Sequence, residues 1–240
     1  MKKTLITTMA AVFLLALLFL SRQPAFSATP LSDHRIVIDP GHGGSDWGSI
    51  ECPGYPEKQA NLDIALKLKT LLGADGAEVY LTRTGDLYKS NADRYNLANS
   101  VNGEALVSIH LNGSTDHTKN GTLGLYGKKN KDLAFTKTLH KYLVQDLGVS
   151  DLGMTNFASG VLLKSNMPAS IQEAVFVSNE TECQLLTDGT GNRQQEIAQA
   201  LYDGLTDWFS QDHSDDKPGG GKPDKPNKPG KPKLDNKISR

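Results

Sequence analysis

The sequence predicts an α/β fold: an open, mostly parallel twisted sheet of about six strands with helices on both faces. Two observations lead to it. Short β-branched or apolar runs alternate along the chain with longer segments whose apolar residues recur at helical spacing. Glycine, proline or aspartate closes many of the runs, as expected where strands open into loops. Strands and helices in alternation build βαβ crossovers, which place a helix layer on each sheet face.

The elements are read in order. Arg35-Ile36-Val37-Ile38 is a buried strand stopped by Asp39-Pro40-Gly41. Residues 57–72 carry Ile64, Ala65, Leu68, Leu71 and Leu72 at helical spacing, and Gly73 follows. Residues 78–82 form the second strand, 91–102 a helix bearing Tyr95, Leu97 and Ala98, and 105–109 the third strand. A strand is expected at 121–126 and a helix at 131–147 with Leu139, Leu143, Val144 and Leu147. Val161-Leu162-Leu163 and residues 174–177 are read as two further short strands. The last helix, 192–209, sets Ile197, Leu201, Leu205, Trp208 and Phe209 on one side.

Both ends differ from this body. Lys2 and Lys3 precede an apolar run from Met9 to Leu20, and Ala25 and Ser27 then offer small residues at a cleavage position. Residues 1–27 therefore read as a signal peptide, with a retained N-terminal anchor as the alternative, because the run is shorter than the roughly 20 apolar residues of a membrane span. Residues 217–240 contain the run KPGGGKPDKPNKPGKPK, which has nothing apolar to bury and reads as a disordered basic tail. What remains, 29–216, is one domain of ordinary size. Between the two ends the chain holds 15 basic and 25 acidic residues, a net charge of −10. So acidic a body argues against nucleic acid as a partner. The tail reads as a solvated segment, or one in weak contact with anionic wall polymers or a membrane surface. Cys52 and Cys183 lack metal-ligand spacing, and whether they pair is left open by the sequence.

In open α/β sheets, ligand sites gather outside the carboxyl ends of the strands. The first strand runs into Asp39-Pro40-Gly41-His42-Gly43-Gly44 and the third into His110-Leu111-Asn112, while Glu57 opens the first helix. Two imidazoles and a carboxylate suit a catalytic zinc ion, which takes nitrogen and oxygen ligands at about 2.0–2.2 Å and keeps a position open for water. The glycines around His42 let the backbone turn sharply. Taken singly, each residue has an ordinary reading: a capped or surface histidine, or a first-turn glutamate favoured by the helix dipole. Glu173 adjoins the apolar segment 174–177, and a shielded carboxylate there suits proton transfer near neutral pH; otherwise it is an edge-strand surface residue. His34, His117, His140 and His213 carry no such pattern.

Six segments in this order resemble a known family, the zinc-dependent N-acetylmuramoyl-L-alanine amidases of the Amidase_3 type. They are IVIDPGHGG (36–44), EKQANLDIA (57–65), VYLTRTGD (79–86), Arg94 with Ala98-Asn99, VSIHLN (107–112) and PASIQEAVFVSNETECQLL (168–186). The resemblance implies one Zn²⁺ per chain held by His42, Glu57 and His110, with Glu173 catalytic and peptidoglycan as substrate. The bond cut would join the lactyl group of N-acetylmuramic acid to L-alanine of the stem peptide, outside the exporting cell's cytoplasm: in periplasm, wall or medium. Asp39 is a candidate for orienting a metal ligand from behind, or else a turn-forming residue before Pro40. Arg83 and Arg94 are candidates for binding stem-peptide carboxylates, or for pairing with Asp86 or Asp93; Asn112 is a further substrate-binding candidate. Val175 departs from the family, which usually has glycine two residues after the catalytic glutamate. A valine there is expected to narrow the pocket or shift the strand. The interval from His110 to Glu173 is too short for the long blocking-helix insertion of some relatives, which implies an open groove. The same metal site would serve a zinc peptidase acting within the stem peptide, and Val175 favours a wall-binding relative with weak or no turnover.

Overall fold

A computed structural model describes residues 29–211. The readings of 1–27 and 217–240, and of His213, fall outside the described residues.

Six strands form one sheet: β1 (Arg35–Pro40), β2 (Glu78–Leu81), β3 (Ala105–Asn112), β4 (Thr122–Tyr126), β5 (Asp151–Asn156) and β6 (Ala169–Phe176). Their spatial order is β2-β1-β3-β6-β4-β5. All neighbours run parallel except β4 and β6. Among the described residues, six helices surround the sheet: α1 (Glu57–Ala74), α2 (Asn91–Ser100), α3 (Lys129–Leu147), α4 (Gly160–Lys164), α5 (Glu180–Thr187) and α6 (Asn192–Ser210).

Side chains of successive strand residues point to opposite faces. Ile36 and Ile38 of β1, with Ala105, Val107 and Ile109 of β3, enter the larger core with α1, α3 and α6. Val37 and Leu106 point the other way, into a smaller core with Ala98 of α2 and Val161 and Leu162 of α4. The larger core is closed by Trp208 of α6, edge-on to Phe135 of α3 with ring centroids 5.1 Å apart. Fully burying side chains of this size contributes about 1.5–3 kcal/mol each.

Four elements differ from their sequence reading. The strand read at 174–177 begins earlier, at Ala169, as β6. The run Val161-Leu162-Leu163 is helical within α4, not a strand; Ser159 caps it by accepting from the Val161 amide. A short apolar run fits a buried strand and a buried helical turn equally. The strand that the topology supplies instead is β5, an edge strand whose DLGMTN carries only two apolar residues, Leu152 and Met154, and no buried residue. Helix α5, also unread, starts at Asn179, whose side chain accepts from the Glu182 amide.

Cys52 and Cys183 are joined in a disulfide with Cα atoms 5.5 Å apart. It fastens α5 to the loop that leads into α1. Arg193 of α6 holds α5 from the other side, through two 2.7 Å bonds to the buried Glu182 carboxylate.

Candidate metal centre and adjoining cleft

Strands β1 and β3 lie side by side, so the residues leaving their carboxyl ends meet. His42 follows β1 on a tight turn closed by reciprocal Gly43–Asp46 backbone hydrogen bonds of 2.8 and 3.1 Å. His42 itself adopts φ 60°, a left-handed conformation uncommon outside glycine. Gly41 is required by packing: a Cβ there would stand 2.3 Å from the His110 ring. Gly48 has φ 63°, and a Cβ there would meet Glu57 at 2.4 Å and His42 at 2.6 Å.

His42, Glu57 and His110 converge. Oε1 of Glu57 lies 3.1 Å from Nε2 of His42 and 3.1 Å from Nδ1 of His110. One ligand atom from each residue lies within 4.8 Å of the other two. A tetrahedral zinc with ligands near 2.1 Å needs ligand atoms about 3.4 Å apart. The donor set and its spacing therefore fit such an ion.

Glu57 is buried and held on all sides. Its carboxylate also accepts from the Ser49 and Leu111 amides and from Nδ2 of Asn61, at 2.9, 3.2 and 3.2 Å. Burial alone would raise its pKa; the hydrogen bonds and charges of His110 and His42 outweigh burial and hold it well below the usual carboxylate range. Burial opposes the charged form of His110 as well, yet Glu57 and the nearby Glu173 push its pKa up to about 9.

Glu173 stands beside this cluster, in register with His110 across the β3–β6 pair. It lies within β6 rather than at the start of a strand. Burial is the leading influence and raises its pKa; Glu57 adds to the rise, and His110 and His42 oppose it. Immediately after this pair the register shifts: His110 opposes Glu173, but Asn112 opposes Phe176. The extra β6 residue is a bulge, which re-aims the following side chains. Val175 is fully buried in the larger core and does not line the cleft beside the histidines. The expectation that it narrows the pocket is corrected accordingly.

The other candidates are engaged elsewhere. Asp39 does not touch a metal-ligand candidate. It accepts from Thr82 Oγ1 at 2.5 Å, Arg94 Nη1 at 2.7 Å and Ser108 Oγ at 2.7 Å, tying β1, β3 and α2 together. Arg94 also bonds the carbonyls of Pro40, His42 and Lys89. Every guanidinium nitrogen of Arg83 donates to a main-chain carbonyl, of Pro40, Gly85, Gly41 or Lys58. Each arginine gives four of its five N–H groups to the fold, and neither pairs with Asp86 or Asp93: Asp86 meets Lys58, and Asp93 meets Ser90. Both scaffold the β1 exit, because its turn leaves buried carbonyls that need donors. Asn112 accepts from the next amide, Gly113, at 2.8 Å.

One functional candidate escaped the sequence reading. Oδ1 of Asp46 lies 2.9 Å from Nδ1 of His42, which leaves Nε2 to face Glu57. The spacing of four residues within a glycine-rich loop was its only local signal. His34, His117 and His140 sit apart from the cluster, each beside an acidic residue: Glu104, Glu51 and Asp151.

A cleft of about 370 Å³ opens from His42 and His110 towards Tyr88, Lys89 and Phe157. A second groove of about 610 Å³ runs along Trp47, Gly48, Ile50 and Pro56.

A mostly parallel sheet covered on both faces, with a His-Glu-His cluster at its strand ends, defines an α/β protein with a candidate metal-dependent hydrolytic centre. The chain belongs to the N-acetylmuramoyl-L-alanine amidase family Amidase_3, whose model matches residues 36–207. It is 34% identical over 188 residues to the probable cell wall amidase LytH of Staphylococcus epidermidis, covering 78% of this chain and 62% of that protein. It is 33% identical over 185 residues to the N-acetylmuramoyl-L-alanine amidase LytC of Bacillus subtilis, covering 75% of this chain and 36% of that one. The chain thus spans less than two thirds of the length of these relatives. Among solved structures, the catalytic domain of the amidase CwlV from Bacillus (Paenibacillus) polymyxa superposes with a TM-score of 0.69 at 32% identity, covering 74% of this chain and 98% of that one. An N-acetylmuramoyl-L-alanine amidase from Clostridium difficile 630 gives 0.70 at 32% identity, covering 75% and 99%.

Proposed function

We propose that this chain hydrolyses the amide bond between the lactyl group of N-acetylmuramic acid and L-alanine of the peptidoglycan stem peptide, using one zinc ion held by His42, Glu57 and His110. The observation that carries this reading is the convergence of those three side chains, with Glu173 in register beside them. Bound zinc would supply Lewis acidity to the scissile carbonyl and acidify a water. Glu173 takes a proton from the attacking water as its oxygen bonds to the lactyl carbon. It then delivers that proton to the alanine nitrogen as the C–N bond breaks, leaving a free peptide amine and a lactyl carboxyl group whose proton, the second from the water, passes to the amine or the medium. Its sheltered carboxyl, favoured in the protonated form by burial, suits the second step.

Residues 1–27 serve export, and 29–216 work outside the cytoplasm as the catalytic domain, with 217–240 as a basic tail. A disulfide supports an oxidising compartment. No helix among the described residues is long and apolar enough to cross a membrane.

Glu173→Gln tests the reading. It is expected to keep about one zinc per chain while abolishing release of peptides from wall sacculi; release at the wild-type rate would overturn the assigned role. Mass spectrometry separates the amidase from a stem-peptide peptidase: the former leaves a free lactyl carboxylate, the latter a shortened peptide. Binding to sacculi with no release by the unaltered chain would favour the wall-binding alternative.

A further inference from the structure

The two depressions beside the histidine cluster differ in chemistry. The groove along Trp47, Ile50 and Pro56 contains no cationic side chain. Trp47 is 53% exposed and carries Lys58 Nζ 3.8 Å over its ring, but that ammonium is already bonded to Asp86 and the Gly44 carbonyl. The cleft that holds His42 and His110 is lined by two cations, Lys89 and Arg94, and by two carboxylates, Asp39 and Asp46. Arg94 gives four of its five N–H groups to Asp39 and three carbonyls. Lys89 is different. Among the described residues, no carboxylate lies within 4.0 Å of its Nζ. The nearby acid, Asp93, is bonded to the Ser90 amide and hydroxyl at 2.9 and 2.7 Å.

Lys89 is also held in place. Its carbonyl accepts from Nε of Arg94 at 3.1 Å, and the next residue, Ser90, caps α2. Lys89 is a partly buried lysine on a fixed backbone that lines the cleft; its charge acts on Asp93, but it makes no ion pair among the described residues. The rings of Tyr88 and Phe157, 58% and 48% exposed, give the same cleft apolar walls.

The substrate of the proposed reaction is asymmetric about the scissile bond. On one side is a sugar without net charge apart from its linkage; on the other is a peptide that carries carboxylates. We infer that the cleft seats the peptide half, with Lys89 as the specificity residue donating to a stem-peptide carboxylate, so the sugar half leaves the metal centre towards Trp47. This rests on the amidase reading above. An ammonium–carboxylate contact discriminates against a carboxamide because the amide brings no charge and can offer a donor where an acceptor is needed.

The test uses the full chain and two synthetic substrates, N-acetylmuramoyl-L-alanyl-D-glutamate and N-acetylmuramoyl-L-alanyl-D-isoglutamine, which differ by one carboxylate. The wild-type protein is expected to favour the carboxylate by about tenfold in kcat/KM, the order of one charge-assisted hydrogen bond. Lys89→Ala is expected to bring that ratio close to one, Lys89→Arg to keep most of it and Lys89→Glu to reverse it, all with zinc content retained. A wild-type ratio near one, or an undiminished ratio in Lys89→Ala, overturns the assignment. Calorimetric titration with free L-alanyl-D-glutamate and L-alanyl-D-isoglutamine reads the same preference without bond cleavage. Failure to cleave either muramoyl compound would reject the amidase reading, whereas equal binding of the two dipeptides would reject the role of Lys89.

Discussion

Nδ1 of His42 and Oδ1 of Asp46 stand 2.9 Å apart across the turn that follows β1. A carboxylate on one imidazole nitrogen fixes the ring and directs the other nitrogen, here Nε2, towards Glu57. Asp46→Ala is expected to weaken zinc binding by about 10–100-fold, the usual cost of losing such a partner. Competition titration against a chromophoric chelator measures it. Asp46→Asn, which keeps an acceptor, is expected to lose less; equal affinity in all three proteins would show that the ring needs no such support.

Gly41 offers a second handle on the same centre. Its missing side chain is what lets the His110 ring pack at the β1 exit. Gly41→Ala is expected to push that ring aside, so zinc content falls sharply while far-ultraviolet circular dichroism stays that of the folded protein. A fully loaded Gly41→Ala protein would mean the loop gives way instead.

The buried pair of Asp39 and Arg94 belongs to stability. Arg94→Met leaves a buried carboxylate without its cation, a change that costs about 3–5 kcal/mol. Urea denaturation should show it as a lower midpoint at unchanged slope.

The same pair sets a pH dependence. Burial alone would raise the Asp39 pKa, but the charge of Arg94 and hydrogen bonds from Ser108, Thr82 and Arg94 outweigh burial and hold it below the ordinary value. A carboxylate lowered in this way contributes its full stability above the unfolded value of about 3.9 and loses it as pH falls through the folded value. The urea-midpoint gap between wild type and Asp39→Asn is therefore expected to be wide at neutral pH and to narrow in acid. A gap independent of pH would contradict the assignment.

The Cys52–Cys183 disulfide closes a loop of sequence separation 131. Chain entropy for a loop of this length corresponds to about 5 kcal/mol. Cys52→Ser with Cys183→Ser should lower the denaturation midpoint, and a reductant should bring the wild type down to the same level. Insensitivity to both would mean the reduced chain is already as constrained.

Much of this molecule is legible from local pattern. The apolar spacing of 57–72, 131–147 and 192–209 gives three helices that pack as their periodicity requires, and β1 and β3 announce themselves as β-branched or apolar runs. His42, Glu57 and His110 are selected because their ligand chemistry falls on strand exits and a helix start, where α/β sheets place sites. Less legible were β5, whose alternation is limited to Leu152 and Met154, too short to signal a strand, and α4, whose apolar run fits two structures.

The sequence by itself determined the order and kind of most elements and which side chains had metal-ligand chemistry, because periodicity and residue type are carried locally. Only the tertiary structure decided who meets whom. Placing β1 between β2 and β3 turned Asp39 towards Arg94, Thr82 and Ser108 rather than a histidine. The β6 bulge sent Val175 into the core, and the packing of α5 brought Cys183 to Cys52. These outcomes depend on distances between residues tens of positions apart, and hydrogen bonds and packing act through space, where one-dimensional spacing carries no information.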